Sequence, residues 1–291
     1  MPRERAKERD CEANIKKTLA YSAVFKYPLS YYQLTTYLMG KREYAYFFFN
    51  KQLRRLLKNK HIGVEKEKFF MLGNKPVSWQ TRYKISKDII TKTKESLQAL
   101  EGVPWIKMIA ITGSVAAHNA DKDSDVDIFI ISQKNRLWIT RLLTFLYLKI
   151  LNLYPKTDGE IGKVCANLYM DEDNLAWPRD KRSVYIAHDI ARMQPIFHRD
   201  NVYFRFMTAN KWINDFLPNF KFEQIEKTKP WVKGHSFIVN FIENILMHLQ
   251  LAYMKKHKTN EITKKHLIHF NKNDNSAKIL NEFSDHLGKV S

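Results

Sequence analysis

The chain has 291 residues, 44% hydrophobic and 27% charged, with 9 glycines and 9 prolines; this globular balance excludes collagenous and low-complexity architectures. Its formal net charge is +19, spread as +13 over residues 1–100, zero over 101–200 and +6 over 201–291, so a basic partner-binding part is expected beside a neutral chemical part. Two distant cysteines, Cys11 and Cys165, argue against a disulfide scaffold or a structural zinc site, and the charged start MPRERAKERD has no apolar signal segment, so a cytoplasmic protein is expected.

In chain order, a first helix is expected over Asn14 to Phe25, ended by Tyr27-Pro28, because the residue before proline avoids the helical region. Ser30 is the expected N-cap of a short helix that stops at Gly40, and a third helix runs from about Glu43 to Lys60. Ile62 to Val64 and Phe69 to Leu72 then pair across the turn Glu65 to Lys68. Three helices followed by a hairpin is the order of a winged helix-turn-helix. Spacings of three and four place Lys51, Arg54, Arg55 and Lys58 on one face of the third helix, a candidate nucleic-acid surface with Lys66 and Lys68 from the wing.

Trp79 to Ala99 is polar, basic and helix-permissive. From Trp105 the pattern becomes mixed α/β: apolar, β-branched runs at Ile106–Thr112, Val126–Ser132 and Val164–Met170, with a helical stretch, Leu137–Tyr154, between the second and third. Helices are expected over Val184–Met193, Tyr203–Phe216, Phe237–Lys256 and Ser276–Leu287. The expected division is 1–76 winged helix, 77–104 helical linker, 105–182 α/β core and 183–291 helical C-terminal region. Within Phe237–Met254, Asn240, Glu243, Asn244, His248 and Gln250 interrupt the apolar run, which reads as an amphipathic helix and not a membrane span. Its stripe Phe237, Phe241, Ile245, Leu249 and Ala252 is expected to pack on the core, with pairing to a second copy as the other use.

The chemistry concentrates in IAITGSVAAHNADKDSDVDIFII, residues 109–131. A strand breaks at Gly113-Ser114, where glycine lets the backbone approach a phosphate and a following helix start offers N–H groups to an anion. On the next strand Asp125 and Asp127, two apart, project to one face, while Val126, Ile128 and Ile130 face the opposite layer. Paired carboxylates at a strand end repel unless a cation joins them, and hard oxygen ligands suit Mg²⁺ or Mn²⁺ shared with substrate phosphates.

Hydrophobic-Gly-Ser, about ten residues, then Asp-hydrophobic-Asp resembles the signature of the polymerase-β-like nucleotidyltransferase superfamily. The likeness covers roughly residues 105–175. More loosely, through Trp138–Arg141, Asn210–Trp212 and Phe216–Asn219, the chain resembles a prokaryotic family that joins a winged helix to such a domain. The resemblance implies an α/β (α+β) nucleotidyltransferase fold with a mixed sheet, flanked by the winged helix and C-terminal helices. It implies transfer of an NMP from an NTP to a nucleic acid, protein or small molecule, with Gly113 and Ser114 holding the triphosphate and Asp125 and Asp127 the metals. Relatives add a third carboxylate on a later strand, as base or metal ligand. Here Asn167 stands at that position, and Asp171 and Asp173 share its parity, so an extended strand could present either one, with Asp171 taken as the catalytic candidate. Arg141 is a candidate triphosphate clamp; His188 and Asp189 could support the site from behind its ligands, although a lone helical histidine more often reads as structural. With the third carboxylate displaced, the alternative to an enzyme is a nucleotide-sensing winged-helix regulator or antitoxin-like binding protein.

Overall fold

The computed structural model describes residues 2–73, 76, 78–155, 163–222, 237–255, 262–269 and 275–288. The first helix, α1 (Pro2–Val24), extends a dozen residues upstream of its expected start. It leads into β1 (Leu29–Ser30) and α2 (Tyr31–Thr36). Ser30 caps α2 as expected: its hydroxyl accepts the Gln33 N–H, and the Gln33 side chain accepts the Ser30 N–H. Next come α3 (Tyr46–Lys58), β2 (Ile62–Glu65) and β3 (Lys68–Met71). The hairpin turns on Lys66 and Glu67, both at positive φ (47° and 61°), the conformation of a tight two-residue turn. The small sheet has the order β1-β3-β2.

After α4 (Trp79–Leu97) comes the main sheet. In chain order the elements are β4 (Ile106–Ile111), α5 (Gly113–Ala116), β5 (Val126–Ser132), α6 (Leu137–Ile150), β6 (Val164–Asp171), α7 (Val184–Arg192), β7 (Gln194–His198), α8 (Val202–Ala209), α9 (Phe237–Lys255), β8 (Ile262–Lys264), β9 (Leu267–His269) and α10 (Asn275–Gly288). The six strands are ordered β7-β4-β5-β6-β9-β8, with β5 and β6 parallel and their other neighbours antiparallel, a mixed sheet. Strand β7 and the β8–β9 hairpin carry no clear alternation in the sequence. Both sit at sheet edges, and Pro195 fits there because an edge strand can spare an N–H.

Strand parity assigns the two layers. Met108, Ala110, Phe129, Ile131, Leu168 and Met170 pack with α7, α8 and the N-terminal helices in one core. Ile109, Ile111, Ile128, Ile130 and Tyr169 pack against Leu97, Trp138 and Leu148 in the other. Residues 11–71 therefore share a core with the first face of the sheet.

Helix α9 departs from expectation. Phe237, Phe241, Ile245 and Leu249 are 83%, 59%, 43% and 63% exposed, so the apolar stripe does not pack inward. Three of the polar residues that interrupt it, Asn240, Glu243 and Gln250, turn inward, whereas Asn244 and His248 are exposed. Glu243 accepts the backbone N–H groups of Trp138 (2.8 Å) and Ile139 (2.9 Å), filling the open donors at the start of α6. Asn240 accepts from Arg136 at 2.7 Å, and Gln250 accepts from Arg141. Helix α9 is long and apolar enough to cross a membrane by length and composition, the one such helix among the described residues.

Candidate active site

The site is built where β4 ends and β5 begins. Thr112 N donates to the Asp127 carbonyl at 2.9 Å, so the chain reverses at Gly113 directly against the start of β5. Gly113 has φ +67°, and a Cβ there would lie 2.7 Å from Asp127 Oδ2. Only glycine meets both demands: it tolerates the left-handed backbone, and it leaves room for the carboxylate. Ser114 follows on the exposed side of the turn.

Asp127, Phe129 and Ile131 share one side of β5, and Val126, Ile128 and Ile130 the other, as the parity reading requires. Asp125, Asp127 and Cys165 offer ligand atoms that all lie within 4.8 Å of one another, the one such cluster among the described residues. Cys165 arrives because it pairs in register with Asp127 across the parallel β5–β6 ladder. Burial, then the charges of Asp125 and Asp189, push the Asp127 carboxyl up to about 7, against the opposing hydrogen bond from Asn167. The charges of three carboxylates bear on one another here. A divalent ion fits this donor set, and the thiol sulfur makes it softer than an all-oxygen Mg²⁺ site, which favours Mn²⁺ more than carboxylates alone would.

Asn167 stands at the place on β6 expected for a third carboxylate, its Nδ2 donating to Asp127 Oδ1 at 2.6 Å. The expectation that Asp171 follows in the same parity is corrected. The β5–β6 register shifts between Ile128↔Ala166 and Phe129↔Leu168, leaving Asn167 as an extra, bulged residue. Every residue beyond it changes face. Asp171 pairs with Ser132, five residues along from Asp127, about 16 Å at the rise of a strand. It points to the layer that holds Tyr169, and accepts Asn135 N at 2.6 Å and Asp173 N at 2.8 Å. Asp173, beyond the strand, pairs with Lys134 at 2.6 Å.

Arg141 is also corrected as a phosphate clamp. It lies on α6, over the opposite layer, where it donates to Gln250 and its charge bears on Tyr169. On α3, Lys51 bonds Glu8 at 3.0 Å, and Arg55 reaches Glu12 at 3.4 Å and Glu8 at 3.8 Å, so two of the four basic residues turn to α1; Arg54 and Lys58 are exposed.

The sequence names His188 and Asp189 on α7 without tying either to the Gly113 turn; the structure makes that link for Asp189. Asp189 Oδ1 accepts the Gly113 N–H at 3.4 Å, so Gly113 sits between two carboxylates. Burial pushes the Asp189 carboxyl up, against the Gly113 N–H and the Arg192 charge, which favour its ionised form. Tyr185, His188, Asp189 and Arg192, spaced three and four apart, share a helix face that forms one wall of a solvent-open cleft of about 610 Å³. Gly113, Ser114, Ala117 and Asn119 form the floor, and Tyr21, Phe25 and Tyr27 from the end of α1 close it. The only available signal was the amphipathic pattern of Tyr185 to Arg192, which any core helix shares.

Residues 90–188 match the family described as the nucleotidyltransferase domain. This stretch is a nucleotidyltransferase domain of the polymerase-β-like superfamily. The match spans β4, the Gly113 turn, the carboxylate strand and most of α7. No curated protein sequence matches the chain. Domains of this family move nucleoside monophosphates and usually use a divalent metal.

Proposed function

We propose that the chain is a divalent-metal-dependent nucleotidyltransferase that uses Mg²⁺ or Mn²⁺, with Asp125 and Asp127 as metal ligands. The carrying observation is the crowding of Asp127 by Asp125 and Asp189, with Gly113 packed bare against its carboxylate. A bound cation would relieve that repulsion and bring NTP phosphates to the Gly113-Ser114 turn, where glycine leaves space. Cys165 is a third donor on the same ion. Arg192, on the cleft wall, takes the phosphate role that the sequence suggested for Arg141.

Asn167 cannot take a proton, so the acceptor hydroxyl needs another base. Asp189 bears on Asp127 by charge and accepts the Gly113 N–H through Oδ1. In the proposed step the acceptor O–H proton passes to Asp189 as the acceptor oxygen bonds the α-phosphorus. The bond from that phosphorus to the bridging oxygen breaks, and pyrophosphate leaves with the electron pair. The basic α3, the order of α1 to β3 and the exposed Arg54 and Lys58 support a winged helix that brings a nucleic acid, as acceptor or as anchor.

The test is incubation of the full chain with labelled NTPs, Mg²⁺ or Mn²⁺, and mixed acceptors. Pyrophosphate release that Asp127→Asn abolishes supports the enzyme. Asp189→Asn, which can still accept the Gly113 N–H, should leave NTP affinity intact and lower turnover by about a hundredfold or more. A wild-type chain that binds metal and NTP without releasing pyrophosphate would favour the nucleotide-sensing regulator, for which Asn167 in place of a carboxylate is the observation.

A further inference from the structure

Helix α9 is mounted with its polar side inward. Asn240, Glu243 and Gln250 fasten it to α6 and to Arg136 just before α6, and Leu246, Met247 and Leu251 complete that side against the core. At the turn of an α-helix the opposite side is centred near Ile245, and it is exposed from end to end. Ile238 and Tyr253, 69% and 68% exposed, extend the stripe of Phe237, Phe241, Ile245 and Leu249. With roughly 200 Å² for a fully exposed side chain of this size, the stripe offers about 750 Å² of apolar surface. The largest apolar patch on a soluble monomer is typically about 300–600 Å², and one partner contributes about 800 Å² to a standard interface. No Asp, Glu, Lys or Arg lies on this side before Lys255 at its end, so a chain of net charge +19 presents an uncharged surface here.

We infer that this face binds a second copy of the chain, with the two α9 helices antiparallel across a twofold axis at Ile245. An interface between identical surfaces must complement itself, and the stripe does. Ile245 stands midway between Phe237 and Tyr253, so reversal about it sets Phe237 against the partner's Tyr253, ring to ring. The same reversal sets Phe241 against the partner's Leu249, and Ile238 against the small, exposed Ala252 of the partner. Asn244 and His248 are exposed along one edge of the stripe. A twofold axis lying in the seam, across the helices, brings that edge of both copies to the same side, which gives an apolar centre with a polar margin. Neutrality matters as much as shape, because two strongly basic chains meet most easily where neither carries charge. The seam lies beyond α6, on the sheet face opposite α7, so pairing leaves both Gly113 clefts open. It does not depend on the chemistry at Asp127.

Sedimentation equilibrium of the full chain, nuclease-treated and in about 0.5 M salt, tests the pair, because that ionic strength screens charge contacts and leaves apolar ones in place. Wild type should show twice the chain mass at micromolar concentration. Ile245→Glu sets two like charges face to face at the axis and should weaken association by about a hundredfold or more. Ile245 is already 43% exposed, so the variant should fold, with circular dichroism and melting temperature as the checks. Cross-linking reads the geometry without any loss of association. Under mild oxidation Ile245→Cys should link to its own copy. Phe237→Cys should not, because antiparallel pairing holds the two copies of that residue about 24 Å apart at the rise of a helix. Wild type oxidised alongside gives the background from Cys11 and Cys165. A wild-type chain that stays single at tens of micromolar, a folded Ile245→Glu that associates as tightly as wild type, or equal linking at positions 245 and 237 would overturn the pair. A single chain that floats with anionic vesicles would overturn it too, and would give the face to a lipid surface.

Discussion

Asp127 and Asp171 stand on neighbouring parallel strands, both sheltered and both with carboxyls held above the usual range chiefly by burial. Their surroundings differ in kind. Asp171 is 1% exposed, with both oxygens occupied by the backbone N–H groups of Asn135 and Asp173 and His266 at 3.5 Å. It spends its acceptor capacity inside the fold, tying the loop after β5 to the end of β6. Asp127 receives one side-chain amide, faces two further carboxylates, and has its Oδ2 against Gly113, where a Cβ would lie 2.7 Å away. A buried carboxylate alone says little about function. One whose neighbours are carboxylates is the kind of group for which we propose a cation.

That contrast breaks most readily by substitution. Asp171→Ala strands two buried N–H donors and should cost about 2–5 kcal/mol of stability, read by denaturant unfolding, while any folded fraction keeps its metal binding. A loss of metal affinity with unchanged stability would reverse the roles given to the two aspartates. Asp127→Asn should act oppositely on the metal-free chain. It removes a charge that its neighbours resist, keeps an oxygen for the Asn167 amide, and should stabilise by roughly 1–4 kcal/mol. Unfolding at neutral pH checks this, and a destabilised variant would mean that the carboxylate is structural.

The same carboxyl sets a pH dependence. Its folded value, about 7, is above the unfolded value of 3.8, so the fold favours the protonated form. Its contribution to stability is full below the unfolded value and is lost as pH rises through about 7. Metal needs the ionised form, so Mn²⁺ affinity should fall about fivefold from pH 7 to pH 6, and Asp127→Asn should remove that slope. Smallest of all, Arg141→Ala should change NTP affinity by less than about twofold, because its partner is Gln250 in the far layer.

The main strands and the Gly113–Asp127 segment were legible because each obeys a local rule: alternation fixes which face Asp127 shares with Phe129, and glycine marks the turn. Asp171 was misread because parity was carried through Asn167, and a one-residue bulge reverses parity without altering the apolar pattern. The α9 stripe was misread because an apolar face is assumed to turn inward, whereas here Glu243, caught by the open N–H groups of α6, decides the rotation. Asp189 could be named on its helix but not placed at the turn, because its part depends on α7 packing across Gly113 from 76 residues away, a contact no spacing encodes.

The central claim is that Asp125 and Asp127 form a metal site that receives a nucleotide. Titration of ATP into the full chain with and without Mg²⁺ or Mn²⁺, repeated on the Asp125→Ala, Asp127→Ala double variant, tests it most directly. Metal-dependent ATP binding is expected in the wild type, with that metal dependence lost in the double variant. Equal metal-dependent affinity in the two proteins would contradict it.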